Sequence, residues 1–229
     1  MKRNKITVAI LICLLLSAWG NPAIAKKVEI VVKSGDFTYE SIYSPKLKEL
    51  QEQFKNYNLQ AGDDIVFKGS MNKGDFDALN GAHLLPNGPS QYNPLVYNSI
   101  DISGLEITEY TEPNGKVHPA GVIPPQAFMA YQGKLIAKKY ILGNNILGIG
   151  VRAFGENTAE EIVLPTTSLK TIGASAFSVV RNLKSFAIPE SVTEIGAWAF
   201  DQFVWPGGIT TLTLPKGLKK LGAGAFGYN

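Results

Sequence analysis

Residues 183–200 read LKSFAIPESVTEIGAWAF, and their spacing decides the architecture. Phe186 and Ile188 fall on one face of a short strand, because strand side chains alternate. Pro189 has no amide hydrogen to give a sheet and ends that strand. Val192 and Ile195 turn back into the same core. Gly196 reads as the site of a tight turn, and Ala199-Phe200 as a small and a large side chain wedged between neighbouring coils. One such coil has a single apolar flank and cannot stand alone, whereas stacked coils bury a continuous core.

The unit recurs. Ile149-Gly150, Ile172-Gly173, Ile195-Gly196 and Leu221-Gly222 are each followed, after two variable residues, by Ala-Phe, ending at Phe154, Phe177, Phe200 and Phe226. Ile123-Pro-Pro-Gln-Ala127-Phe128 is a weaker first copy. Steps of 23, 23 and 26 residues between the four phenylalanines fall within the range of solenoid repeats. The repeat core is therefore read as Ile149, Phe154, Ile172, Phe177, Ile195, Phe200, Leu221 and Phe226.

The pattern L-x-x-L-x-I-P-x-S-V-x-x-I-G-x-x-A-F resembles the repeat of BspA-type leucine-rich-repeat proteins, exported proteins of Bacteroides-like bacteria. That resemblance covers residues 120–229 well and continues more loosely upstream, at Val66-Phe67, Gly74-Asp75-Phe76 and Ser99–Gly104. It implies an α/β-type leucine-rich-repeat solenoid with short parallel strands, one per repeat, behind an N-terminal α+β cap. It also implies a surface-associated binding or adhesion module, and the lack of catalytic and metal-binding motifs leads us to expect no enzymatic activity and no cofactor. Cysteine often stands three residues after the Ala-Phe phenylalanine in the family; here those positions hold Asn157, Val180 and Phe203. Gly143 takes the place of the proline that would end the strand Lys138–Leu142.

The first residues address the compartment. Lys2, Arg3 and Lys5 precede the apolar run Ile6–Trp19, and Ala23-Ile-Ala25 offers small residues for cleavage. This is the layout of a secretory signal peptide. As a transmembrane anchor the run is short of the roughly 20 residues needed. The organisation read from sequence is thus signal peptide 1–25, N-terminal cap and first coils 26–119, and repeats 120–229, in a protein exported to the periplasm, cell surface or medium. Without the leader's three basic residues, the 22 Lys+Arg fall to 19, equal to the 19 Asp+Glu. No basic stripe is left for nucleic acid. The single cysteine, Cys13, lies in the leader, so thiolate metal sites and cysteine nucleophiles are excluded from the rest.

In the N-terminal part, Val28–Val32, Ile65–Lys68 and Ser99–Ile102 read as strands. Ser44-Pro45 opens a helix carrying Leu47, Leu50, Phe54 and Tyr57, Asp75 caps a short helix, and residues 84–98 form a surface loop. His83 and His118 read as surface residues without partners. Asp75–Gly81 fails as a calcium loop, because its glycine falls at the seventh position and Pro86 stands at the twelfth. No metal, phosphate-loop or nucleophile motif is present.

Function therefore rests on surfaces. Outward strand positions are Ile141, Val163, Ala187 and Thr213, flanked by Lys139, Glu161, Ser185 and Thr211. The insertion after Phe200 leaves two readings open. Phe203 and Trp205 contact a ligand together with Trp198, or Phe203 fills the cysteine's place in the core while Trp205 covers the coil edge. The leading expectation is recognition of a protein or glycan at a cell surface. A self-associating structural element is the alternative, and a carbohydrate-active protein the third. The apolar final coil, with Leu212, Leu214, Leu218 and Leu221, suggests an end-to-end homodimer.

Overall fold

The computed structural model describes residues 26–33, 57, 59–80, 96–130, 135–183, 185–202 and 211–227. Five strands form one parallel sheet in the order β1 (Lys27–Val32), β2 (Asp64–Met71), β3 (Val96–Ile107), β7 (Ile136–Ile141) and β9 (Glu161–Val163). β11 (Ser185–Ala187) and β13 (Thr211–Thr213) pair in the same parallel sense. A second parallel sheet joins β6 (Val122–Ile123), β8 (Gly148–Ile149), β10 (Thr171–Ile172), β12 (Glu194–Ile195) and β14 (Lys220–Leu221). β4 (Tyr110–Thr111) and β5 (Val117–His118) make an antiparallel hairpin.

Each repeat therefore contributes two strands, not one, and the described repeat residues contain no helix. The second strand exists because the Ile-Gly segment lets backbones approach. A Cβ on Gly150 would stand 2.5 Å from the carbonyl oxygen of Ile123, and one on Gly196 would stand 2.5 Å from the backbone nitrogen of Ala174. The glycine is not in a left-handed conformation. The tight turn comes two residues later, at Gln126, Arg152, Ser175, Trp198 and Gly224, where φ lies between 53° and 61°. The repeat glycine thus serves close packing of coils, and the expected turn belongs to its neighbour.

The third side of each coil is this turn, and it carries its own ladder. The amides of Arg152, Ser175 and Trp198 donate to the carbonyls of Ala174, Ala197 and Ala223 in the following coils. Phe154, Phe177 and Phe200 donate likewise to Ala176, Ala199 and Ala225. Alternate amides of the turn are thus drawn into coil-to-coil bonding, while Ala153 and Ala176 donate within their own coils to Gly150 and Gly173.

Inside lies a stack of rings. Phe128, Phe154, Phe177, Phe200 and Phe226 follow one another at centroid separations of 5.1–5.4 Å, nearly parallel. Phe186 leans against both Phe177 and Phe200, and Phe76 meets Phe128 edge-on. Phe76 comes from α1 (Lys73–Asn80), so α1 packs its aromatic ring against the start of the stack. A capping box begins that helix: Asp75 N–H donates to Asn72 Oδ1, and Asn72 N–H to Asp75 Oδ2. Asp75 is therefore the third helical residue, with Asn72 as the cap.

Ile149, Phe154, Ile172, Phe177, Ile195 and Phe200 are buried. Leu221 differs: it is 52% exposed, and Phe226 is only partly covered. Both sit in the coil 211–227, which has a described neighbour on one side alone.

Strands β2 and β3 are longer than expected. β3 starts at Val96, so the end of the expected loop 84–98 is strand; residues 84–95 lie outside the described part, as do the leader, His83 and the helix from Pro45 up to Lys55.

Candidate interaction surfaces

The outward row of the first sheet is set by register. Asp101, Ile141 and Val163 are successive partners across β3, β7 and β9, and Ala187 pairs with Thr213 across the separate strand pair β11 and β13. Val163 is 37% exposed, Ala187 and Thr213 are exposed, and Ile141 is half-buried. One step along the strands, Lys139 Nζ meets Glu161 Oε2 at 2.9 Å. That pair neutralises itself and leaves the adjoining row uncharged from Ile141 onward.

The turn side holds the second surface. Trp198 is 45% exposed, and its ring lies on the next coil: a Cβ on Gly224 would stand 2.5 Å from Cζ3 of the indole, and one on Gly227 3.0 Å from the same atom. Phe203 and Trp205 lie outside the described residues, so Trp198 is the aromatic of that group whose surroundings are seen.

Two buried polar groups escaped the reading of the sequence. Asn157, standing where the family often has cysteine, is fully buried. It donates through Nδ2 to Phe128 O at 2.7 Å and to the Tyr140 hydroxyl at 3.0 Å, and its Oδ1 accepts from Ala159 N–H. Tyr140 donates in turn to Leu135 O and accepts from Ala137 N–H. Burial pushes the Tyr140 hydroxyl up to about 12, against the opposing pull of its bonds from Asn157 and Ala137. Asparagine thus replaces a small apolar side chain by tying three coils' polar groups together. Tyr97 is also fully buried, its hydroxyl without a hydrogen-bond partner among the described residues, and desolvation followed by the nearby Asp63 charge raises its pKa strongly.

His118 is not a surface residue. It is 7% exposed in the β4–β5 hairpin, with Nε2 donating to Glu112 Oε1 at 2.6 Å. That bond, then one from Asn114, holds the Glu112 carboxyl below its usual range. Lys73, which also pairs with Asp77, lies 3.8 Å from the same oxygen. The signal that could have found this pair is the hairpin turn Glu-Pro-Asn-Gly, which folds position 118 back onto position 112.

Among the described residues no three His, Asp or Glu side chains gather as a metal site, and no helix is long and apolar enough to cross a membrane. An apolar void about the size of a water molecule is lined by Phe67, Met71, Phe76, Ile102, Ala127 and Phe128 among others.

No curated protein matches the chain. Residues 122–229 match the sequence profile of the BspA type leucine rich repeat region in six copies, one more than the five read from the sequence, and these residues accordingly form a leucine-rich-repeat region built of stacked parallel strands, of the kind that serves binding or adhesion.

Proposed function

We propose that this is an exported, non-catalytic adhesion module that recognises a protein or glycan at a cell surface through the outward strand positions of β7, β9, β11 and β13. The observation that carries the reading is the row Ile141, Val163, Ala187 and Thr213, uncharged and accessible beside the self-neutralised Lys139–Glu161 pair. Such a row costs little to desolvate, whereas uncompensated charges would oppose docking. The basic, apolar and small-residue pattern of residues 1–25 supports export, and residues 26–119 are read as the cap and first coils. Screening the full chain, as released by an exporting cell, against arrays of surface proteins and glycans tests the reading. Reproducible saturable binding supports it; binding of nothing in either class removes it.

A second reading, a self-associating surface element, draws on the exposure of Leu214 and Leu221 on the coil 211–227. Apolar side chains exposed on a coil's stacking flank suit a neighbour of the same shape, and an end-to-end homodimer would supply one. Light scattering over a range of concentrations separates the two: a mass that stays monomeric throughout excludes self-association.

A further inference from the structure

The turn side of the solenoid carries a feature that the fold does not need. At the left-handed position after each repeat glycine, glycine itself is the unstrained residue, and the coil 211–227 uses it at Gly224. The first coil holds Gln126 there, at φ of 61°, and the three that follow hold Arg152, Ser175 and Trp198, at φ of 55°, 53° and 59°. The amide of each bonds to the coil that follows, so the three side chains stand on consecutive rungs along one edge. Backbone-bonded parallel rungs lie about 4.7–4.9 Å apart, and the ring stack beneath steps by 5.3–5.4 Å between centroids.

None of these side chains is engaged by the fold through a polar bond. Among the described residues the Arg152 guanidinium, the Ser175 hydroxyl and the Trp198 indole N–H have no hydrogen-bond or ion-pair partner. The indole is fixed from below, because Gly224 and Gly227 leave room for it against their backbone, and it remains 45% exposed.

We propose that this edge, Arg152–Ser175–Trp198, is a glycan-binding edge that takes a chain of pyranose units lying along the solenoid axis. The proposal rests on the reading of the chain as a binding module but places the contact on a different side from the sheet row. The chemistry fits unit by unit. An immobilised indole offers a flat apolar face to the axial C–H face of a sugar ring. A hydroxyl and a guanidinium, one and two rungs away, offer donors to ring hydroxyls, and the rung spacing is close to the length of one pyranose unit in an extended chain. A nucleic acid strand fits less well, because it needs a cation on each rung, and the edge supplies one cation, Arg152, together with exposed Glu156. A protein partner needs a broader apolar centre than one ring.

Calorimetric and fluorescence titration of the full chain with cellohexaose, chitohexaose and maltohexaose tests the proposal, alongside the protein arrays described above. At least one hexaose should bind and shift tryptophan emission. Trp198→Ala should then weaken binding about tenfold or more, Arg152→Ala and Ser175→Ala about threefold each, and Trp198→Phe should restore much of the loss. Because Trp198→Ala also uncovers Gly224, Arg152→Ala, whose side chain makes no polar bond in the fold, is the control for folding. Hexaose binding unaffected by all of these substitutions would overturn the edge as the site. Binding to proteins but to no hexaose would overturn the glycan assignment while leaving the adhesion reading intact, and binding to neither class would remove both.

Discussion

Gly196 approaches Ala174 of the preceding coil so closely that a Cβ at position 196 would stand 2.5 Å from the Ala174 backbone nitrogen. The atom in the way is backbone, in a residue whose carbonyl is held by the Arg152 amide in the inter-coil ladder, so it cannot swing aside. Gly196→Ala should therefore destabilise the solenoid by about 3 kcal/mol or more, at the upper end of overpacking costs. Gly217→Ala, where the nearest atom would be 3.9 Å away, should stay within about 1 kcal/mol. Urea melts of the two variants check the contrast; equal effects would mean that the coils are not in this register.

The ring stack gives a second expectation. Phe177 is fully buried between Phe154 and Phe200 and also touches Phe186. Phe177→Ala should cost about 3–5 kcal/mol, and Phe177→Leu markedly less, because it keeps most of the volume. Denaturant midpoints with unchanged slopes would report this as a loss of stability alone.

Tyr140 gives a pH dependence. Its folded-state pKa, about 12, lies above the ordinary value of 10.0. A raised pKa means that the folded state holds the proton more tightly, so the contribution is complete below pH 10 and is lost as pH climbs from 10 towards 12. Over that span the loss should approach about 3 kcal/mol. Tyr140→Phe should lower stability at pH 7 by about 1–3 kcal/mol, since Asn157 Nδ2, Ala137 N–H and Leu135 O each lose a bond, and it should flatten the alkaline decline. Denaturation at pH 7, 10 and 11.5 separates the two effects.

Arg152 tests the left-handed turn. At φ 55° its Cβ opposes the conformation, which glycine adopts freely. Arg152→Gly should be neutral or stabilising by up to about 1 kcal/mol, whereas Arg152→Val should destabilise by more than about 1 kcal/mol. A destabilising glycine in chemical melts would mean that the arginine side chain supports the fold and is not free for a ligand.

The repeat period, the strand positions and the inward phenylalanines were legible because each is written several times at one spacing. The second strand and the role of the repeat glycine were not. Ile-Gly followed by two variable residues is compatible with a turn at the glycine or with a coil-to-coil contact there, and only the neighbouring backbone decides. The polarity of Asn157 argues against burial until Tyr140, 17 residues earlier, supplies a partner. His118 read as exposed because its partner Glu112 lies across a hairpin, where spacing along the chain carries no helical or strand period. On the surfaces, the outward row Ile141, Val163, Ala187 and Thr213 followed from strand alternation alone. The edge of Arg152, Ser175 and Trp198 did not, since its stacking depends on the left-handed turn.

The outward strand positions of β7, β9, β11 and β13 are proposed to receive the partner, and one measurement addresses this most directly. The dissociation constant of the strongest protein partner found in the screens is compared between the full chain and its Val163→Arg, Ala187→Arg double variant, after melts show that the two are equally stable. Both positions are exposed, so the fold should tolerate the change, while two unpaired charges on the docking row should weaken binding by at least about thirtyfold, or 2 kcal/mol. Affinities agreeing within about twofold would contradict the account.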